Sequence, residues 1–440
     1  MVKVITYGSF DMFHYGHKRL LERAKALGDY LIVGVTSDDY DKARGKINLQ
    51  QSFMERVESI KASGIADEII IEEYEGQKID DIQKYDVDIF TVGSDWEGFF
   101  DYLKEYCQVI YLPRTEGISS SEIRDKRRSI SLGLVGDTGF LNKVCREAEL
   151  VNGIHVDALC TKRKSVIEES ALKRIQYVTD DFECFTEKVD AVYLRSQPKY
   201  HYEQIKKLLT ANKHVLCESP LTLNRMQTEE LMELAVSKNL VLMDAIKTAY
   251  STAYSRLLLM LKSGKIGDVI SVDAVCTSIR ENVENEDWHC IHEWGPTALL
   301  PILQILGTEY RDCSIVSQLR DNGNDSFTQM TILYDKAIGT MKIGDGVKSE
   351  GELIISGTKG YIYVPAPWWN TDYFEVRYED QTKNKRYFYQ LDGEGIRYEL
   401  VAFCRAIEIG NSENRIEKNV AYKISEIMES FENKVNMSLI

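Results

Sequence analysis

Gly8-Ser9-Phe10-Asp11-Met12-Phe13-His14-Tyr15-Gly16-His17 joins an apolar run at 2–6 to an amphipathic stretch at 16–27. Within that stretch Leu20, Leu21, Ala24 and Leu27 recur at helical spacing, so the segment reads as strand, loop, helix. Gly16 lets the chain pass close to a phosphate, and the helix N-terminus beyond it is an anion site. Two imidazoles three residues apart, His14 and His17, suit a transition state with charge on bridging and terminal phosphate oxygens, because they donate hydrogen bonds without a covalent intermediate.

The same rhythm runs outward from this segment. Further strands are predicted at 31–35, 68–71, 87–92 and 109–112, with a helix at 51–61. Strands separated by helices of this size imply βαβ crossovers and a parallel sheet, which binds ligands at the carboxyl ends of its strands. A basic stretch at 125–128 reads as a hinge, and a fresh cycle begins at 131–135. Strands at 155–160, 174–178, 189–194, 214–217 and 240–243 follow, with helices at 139–149, 199–212 and 224–237. From about 268 the pattern turns β-rich, at 269–278, 312–319, 327–334, 338–344, 350–355, 359–364, 371–378 and 385–391, before helices at 396–409 and 418–435. The expected fold class is α/β. A Rossmann-like parallel α/β domain at 1–128 precedes a dinucleotide-binding Rossmann domain at 129–248. An α+β domain with a large, mostly antiparallel sheet and terminal helices occupies 249–440.

Composition narrows the function. The 440 residues hold 54 Lys+Arg against 69 Asp+Glu, a net charge of −15. Residues 1–128 carry 18 basic and 24 acidic side chains, a net of −6, which leaves −9 for the rest. No basic lobe exists to grip nucleic acid. Nine scattered cysteines without a C-x-x-C pair argue against zinc sites and disulfide frameworks, and for reduced thiols in a cytoplasmic protein. Neither a signal peptide nor an apolar run of membrane-spanning length is present, so no membrane insertion is expected.

The histidine string, together with the stretches at 20–35, 42–46, 92–103 and 111–124, resembles the glycerol-3-phosphate cytidylyltransferases of the His-x-Gly-His nucleotidyltransferase class. The resemblance implies that His14 and His17 stabilise the transferring α-phosphate, and that Lys46 and Arg114 hold phosphates. It places Gly8, Ser9, Phe10, Asp11, Gly16, Asp95, Trp96, Arg114, Ser119 and Ser120 around CTP. Taken as residues, Arg114 offers a bidentate fork, and the serines offer hydroxyls at a helix start. Mg²⁺ is implied by the triphosphate, with no protein metal ligands of its own.

Gly136-Asp137-Thr138-Gly139-Phe140 follows a strand and opens a helix, but Thr138 stands where a G-x-G-x-x-G fingerprint has its second glycine. Together with Arg195-Ser196-Gln197-Pro198-Lys199-Tyr200-His201 and Glu218-Ser219-Pro220, this region resembles the glucose–fructose oxidoreductase/inositol dehydrogenase family. The resemblance assigns Gly136, Asp137, Thr138, Gly139, Phe140, Ser196, Gln197, Pro198, His201, Glu218 and Ser219 to the cofactor. The second strand ends in Cys160-Thr161-Lys162-Arg163-Lys164 with no carboxylate for a ribose 2′-OH, which favours NADPH held through Lys162 or Arg163 and leaves NADH open. Ser219 replaces the family's motif lysine, and the Gly295–Pro301 stretch lacks its Asp and His. Lys247 and His292 are then the expected proton donors.

Two readings follow. One is a bifunctional enzyme that transfers CMP from CTP to a sugar, ketose or polyol phosphate and reduces a keto group, giving a CDP-alditol for surface or capsule polysaccharide. The other is a cytidylyltransferase with a non-catalytic NAD(P)-binding regulatory domain. Both resembled families imply a homo-oligomer.

Overall fold

The computed structural model describes residues 1–43, 49, 51–74, 76–113, 130–279, 288–389, 391, 393–409 and 415–440. It divides into two compact units, Met1–Arg128 and Ser129–Ile440, and each is described by itself.

In the first unit, strands β1 (Lys3–Gly8), β2 (Tyr30–Thr36), β3 (Glu68–Glu72), β4 (Ile89–Gly93) and β5 (Gln108–Leu112) form one parallel sheet in the order β3-β2-β1-β4-β5. Alternate residues of β1 feed two cores. Val4 packs with Leu21, Ala24 and Ile60 on one face, while Ile5 and Tyr7 pack with Ile82, Phe90 and Phe100 on the other. Burying each such side chain contributes about 1.5–3 kcal/mol, so both faces hold their helices firmly. The order reverses between β1 and β4, and the 8–17 segment leaves β1 at that point.

The first helix starts at Tyr15 rather than 16 because His14 is its N-cap. The second long helix, Phe53–Ser63, starts two residues later than its periodicity predicts. Ser52 caps it and Glu55 completes a capping box. Helices at Asp38–Ala43 and Gln77–Tyr85 were not expected; the second has a short stripe of Ile79, Ile82 and Tyr85 that packs on the core.

The second unit begins with six parallel strands: β6 (Ile130–Gly136), β7 (Ile154–Cys160), β8 (Tyr177–Thr179), β9 (Ala191–Arg195), β10 (His214–Glu218) and β11 (Leu242–Ala245). Their order, β11-β10-β9-β6-β7-β8, is that of a dinucleotide-binding fold, with its reversal between β6 and β9. The strand expected at 174–178 is displaced to Tyr177–Thr179, following the short helix Glu169–Leu172.

Nine strands form the last sheet: β12 (Val269–Ser278), β13 (Asp312–Leu319), β14 (Asp325–Leu333), β15 (Ile338–Asp345), β16 (Leu353–Gly357), β17 (Tyr361–Val364), β18 (Tyr373–Arg377), β19 (Lys385–Phe388) and β20 (Met437–Leu439). Its order is β19-β18-β17-β16-β12-β15-β14-β13-β20, and only β12/β15 and β13/β20 run parallel. The helix Cys290–Leu306 lies on β12, β14 and β15. The helix Ile396–Ile409 returns to the Rossmann helix Phe140–Ala148, where Arg397 Nε and Nη2 donate to Glu147 at 2.9 and 3.0 Å. All nine cysteines are free, and six are buried. No helix among the described residues is long and apolar enough to cross a membrane.

Candidate active sites

In the first unit, His14 has extended backbone (φ −122°, ψ 176°), and its Nδ1 accepts from the Gly16 and His17 amides at 3.0 and 3.4 Å. A nitrogen that accepts carries no proton, so Nε2–H is the donor left to His14. The His17 ring stacks on His14 with centroids 3.8 Å apart, flanked by Phe10 at 5.5 Å and Phe13 at 5.9 Å. Two imidazole donors are thus held side by side at a helix N-terminus, an arrangement suited to adjacent oxygens of one phosphate.

The loop that presents them is built from inside. Phe10 and Met12 have positive φ (53° and 51°), a conformation that needs support outside glycine. Arg56, fully buried, supplies much of it. Its Nη1 donates to the Ser9 carbonyl at 2.6 Å, and its Nη2 to Asp38 Oδ1 at 2.5 Å. Asp41, also fully buried, lies 3.5 Å from Nη1 and accepts from Ser9 Oγ at 2.8 Å. Asp11 accepts from the Gln51 amide at 3.0 Å, and the Met12 amide donates to Gln51 Oε1 at 2.7 Å. Ser9, Phe10 and Asp11 therefore shape the loop from within, and Gly8 is confined by the Phe10 ring, 3.1 Å from where a Cβ would stand. Trp96 ends a 3₁₀ turn after β4, 37% exposed, against Phe99 and Phe100. Asp95 lies in that turn. Lys46, Arg114, Ser119 and Ser120 lie outside the described residues, as does the 125–128 hinge.

In the second unit a cavity of about 570 Å³, within the range of small-molecule sites, opens at the β6/β9 reversal. Gly136 (φ +153°) turns the chain into it. A Cβ there would meet the Arg195 carbonyl at 2.2 Å, so only glycine fits. Thr138, also lining the cavity, has a buried hydroxyl with no hydrogen-bond partner among the described residues, directly before the helix Phe140–Ala148. Asp137 Oδ1 accepts from Thr161 Oγ1 at 2.9 Å and the Lys162 amide at 2.6 Å, fixing the turn that carries Lys162 and Arg163 into the lining. Lys207 joins them there. An unpartnered hydroxyl at a helix N-terminus and three cations at the rim fit the diphosphate and 2′-phosphate of a nicotinamide dinucleotide.

The sequence model described as "Cytidylyltransferase-like" matches residues 5–126. Over 130 residues the chain is 52% identical to a glycerol-3-phosphate cytidylyltransferase from Bacillus spizizenii, covering 30% of this chain and 100% of that protein. The chain belongs to the glycerol-3-phosphate cytidylyltransferase family through its first unit. A second model, "Oxidoreductase family, NAD-binding Rossmann fold", matches residues 132–245. Trans-1,2-dihydrobenzene-1,2-diol dehydrogenase from Bos taurus is 25% identical over 240 residues, covering 52% of this chain and 72% of that protein. A crystal structure of a 3-ketoreductase from Actinomadura kijaniata, in complex with NADP and TDP-benzene, superposes with a TM-score of 0.63 at 18% identity, covering 71% of this chain and 99% of that one. That likeness is one of fold.

This fusion of a cytidylyltransferase-like unit with an oxidoreductase-family unit distributes the remaining expected residues unevenly. Ser196 and Gln197 line the cavity. Gly139 is the N-cap of Phe140–Ala148, and the Phe140 ring lies 4.3 Å from the Arg195 guanidinium. Pro198 opens a 3₁₀ turn. His201 is buried, with ring nitrogens 2.8 Å from the Pro220 carbonyl and 2.9 Å from the Ser196 carbonyl, and burial lowers it to about 4. It ties two loops together from beneath the cavity. His292 faces Glu432 at 3.0 Å in the last helix. Lys247 Nζ donates to the Glu394 carbonyl at 2.8 Å, and burial lowers its pKa. Neither is a lining residue of the cavity.

Sequence reading assigned Glu218 to the cofactor but passed over the residues grouped around it at the ends of β9, β10 and β11. Arg195 lines the cavity between the rings of Phe140 and Trp288, with Glu218 at 3.7 Å and Glu293 at 3.4 Å. Tyr193 Oη lies 2.5 Å from Glu218 Oε1 and 3.1 Å from Glu399 Oε1. Asp244 is 2% exposed, and burial pushes it up to about 7. Folded Asp244 therefore binds its proton more tightly than unfolded Asp244. The stability it contributes is complete below about pH 4 and lost as pH rises through about 7. An Asp244→Asn chain is expected to outlast the parent at pH 8, by about 1–4 kcal/mol at a cost of 1.36 per pH unit, with the gap closing at pH 4. Thermal unfolding at the two pH values checks this, and equal differences at both would refute it.

Proposed function

We propose that the chain makes a CDP-activated alditol. The first unit transfers CMP from CTP to a ketose or polyol phosphate and releases pyrophosphate, and the second reduces a keto group with NADPH. The stacked His14–His17 pair at a helix N-terminus carries the first half of this reading. Among the described residues no three His, Cys, Asp or Glu are grouped to hold a metal ion, so Mg²⁺ would arrive with the CTP phosphates. The NADP and TDP-benzene held by the Actinomadura kijaniata 3-ketoreductase support a nicotinamide and a nucleoside-diphosphate ligand for the second unit. Such products are donors for surface or capsule polymers, made where CTP and NADPH are available, in the cytoplasm.

Mixing CTP, NADPH and ketose phosphates such as fructose 6-phosphate, and following pyrophosphate and NADPH together, tests both halves. Release of pyrophosphate with no NADPH loss on any ketose would sink the reductase half. It would favour the other reading, a non-catalytic cofactor-binding domain, for which Ser219 in place of the family's lysine speaks. Cofactor choice has its own test. NADPH is expected to bind at least tenfold tighter than NADH, and a Lys162→Ala/Arg163→Ala chain to lose most of that preference, since each exposed charge on a phosphate contributes on the order of 1 kcal/mol. Equal affinity of the parent for both cofactors would exclude the 2′-phosphate role.

A further inference from the structure

Four carboxyl groups converge where the family's lysine is missing: Glu218, Asp244, Glu293 and Glu399, against the two cations Arg195 and Lys247. Asp244 and Glu399 are no more than 2% exposed; Ser219 lies against the Asp244 carboxyl, and Glu399 Oε2 has no hydrogen-bond partner among the described residues. Burial outweighs the Ser219 hydrogen bond to Asp244 and the pull of Tyr193 and Lys247 on Glu399, so the group retains protons at neutral pH. The geometry at Tyr193 identifies one of them. Its hydroxyl carries a single proton, yet lies within hydrogen-bond distance of Glu218 Oε1 and Glu399 Oε1 together. It cannot donate along both lines at once, so one carboxyl donates to the phenol oxygen and is a carboxylic acid. Glu218 is the member open to solvent, with its side chain 19% exposed, and Arg195 connects it to the lining of the cofactor cavity.

We propose that Glu218, Tyr193 and Glu399 share a proton, and that Glu218 is the acid that protonates the carbonyl oxygen of the ketone. The proposal rests on the reductase half of the function above. A bound nicotinamide supplies the hydride to the carbonyl carbon. The Glu218 O–H bond breaks as the alcohol O–H bond forms. The Glu218 carboxylate left behind faces Arg195 Nη1 at 3.7 Å, and regains its proton from Glu399 through the Tyr193 hydroxyl. The pair is recharged from water at Glu218, its solvent-exposed member. One hydride and one proton convert the ketone to the alcohol, and the acid returns to its starting state. Burial raises both Glu218 and Glu399, the first against the pull of Arg195 and the second with the added repulsion of Glu218. The charged and titratable groups facing this pair are Arg195 and Tyr193 from β9, Asp244 from β11, Lys247 from its short helix, and Glu293 from the helix Cys290–Leu306. Tyr250 beside Glu399, and Cys217 from β10 beside Glu218 and Asp244, complete the set. Glu218 would be a catalytic residue, and Tyr193 and Glu399 positioning residues.

The test uses the full chain and two independent readouts. In the cofactor-free protein at pH 7.5, an infrared difference spectrum of parent minus Glu399→Gln is expected to contain a protonated-carboxyl C=O band. A difference with ionised carboxylate bands alone overturns the shared proton. In reduction at saturating NADPH, Glu218→Gln is expected to lower kcat by 10²-fold or more, about the contribution of a general acid. Reduction at the parent rate overturns the acid role. Tyr193→Phe, judged folded by an unchanged thermal midpoint, is expected to move the alkaline limb of kcat/KM up, because Glu218 then loses the phenol hydrogen bond that holds its pKa down. An unmoved limb overturns the positioning role. If the parent consumes no NADPH with any ketose, the reductase reading fails and the acid role with it, while the infrared arm still separates a shared proton from two ionised carboxylates.

Discussion

A His17→Ala chain is expected to bind CTP within a few-fold of the parent and to release pyrophosphate 10²–10³-fold more slowly, the usual cost of removing one preorganised donor to a developing oxyanion. The reason lies in how the ring is held. His17 sits in the first turn of the helix Tyr15–Lys25, stacked on His14 at 3.8 Å and bordered by Phe10 and Phe13, so it meets the phosphate without first being ordered. His14 has two duties, and they can be separated. Its Nδ1 caps the helix through the Gly16 and His17 amides, which leaves Nε2–H as its donor. His14→Ala loses both, so about 1 kcal/mol of stability should go with the activity. His14→Asn retains a capping oxygen and loses only the phosphate donor. Its unfolding midpoint should stay near that of the parent while its rate falls as far as that of His14→Ala. Equal rates for His14→Asn and the parent would mean that the imidazole is merely a cap.

Much of this arrangement was legible in the sequence because periodicity and glycine placement are local signals. The strands at 269–278 and 312–319 fall where alternation puts them. Both parallel sheets follow from the spacing of strands and helices. The helix Cys290–Leu306 illustrates what local rules miss. It holds Pro296 and Pro301 in its interior, where each removes a backbone donor, and it survives because it is apolar nearly all round and lies on β12, β14 and β15. Arg56 was equally hidden. On its own helix it looks like a solvated charge, and only the fold brings Asp38, Asp41 and the Ser9 carbonyl around it from earlier in the chain. The Tyr193–Glu218–Glu399 group has the same cause, since 206 residues separate Tyr193 from Glu399. Arg195 carried a readable hint, a charged residue ending an otherwise apolar strand, Ala191-Val192-Tyr193-Leu194.

Arg56→Ala is expected to cost about 3–5 kcal/mol of stability in the first unit, as the removal of one partner from a buried ion pair. Arg56 and Asp41 are both fully buried, so the substitution takes away the cation beside a carboxylate that water cannot reach. It also removes the 2.6 Å bond to the Ser9 carbonyl, one residue before the left-handed Phe10. The loop that carries His14 and His17 then loses support at the point where its backbone is least favourable. Stability and activity should therefore fall together, but for different reasons, and a pair of variants separates them. Arg56→Met with Asp41→Leu removes both charges at similar volume, and such exchanges are often neutral for stability. That double variant should recover most of the urea midpoint. It should not recover pyrophosphate release, because the Ser9 carbonyl still lacks its donor and Ser9 Oγ has lost Asp41. Arg56→Lys should fall between the two, since a point charge can serve one of the three partners but not the planar fork. Full activity in the double variant would show that the clamp stabilises the unit without positioning the histidines.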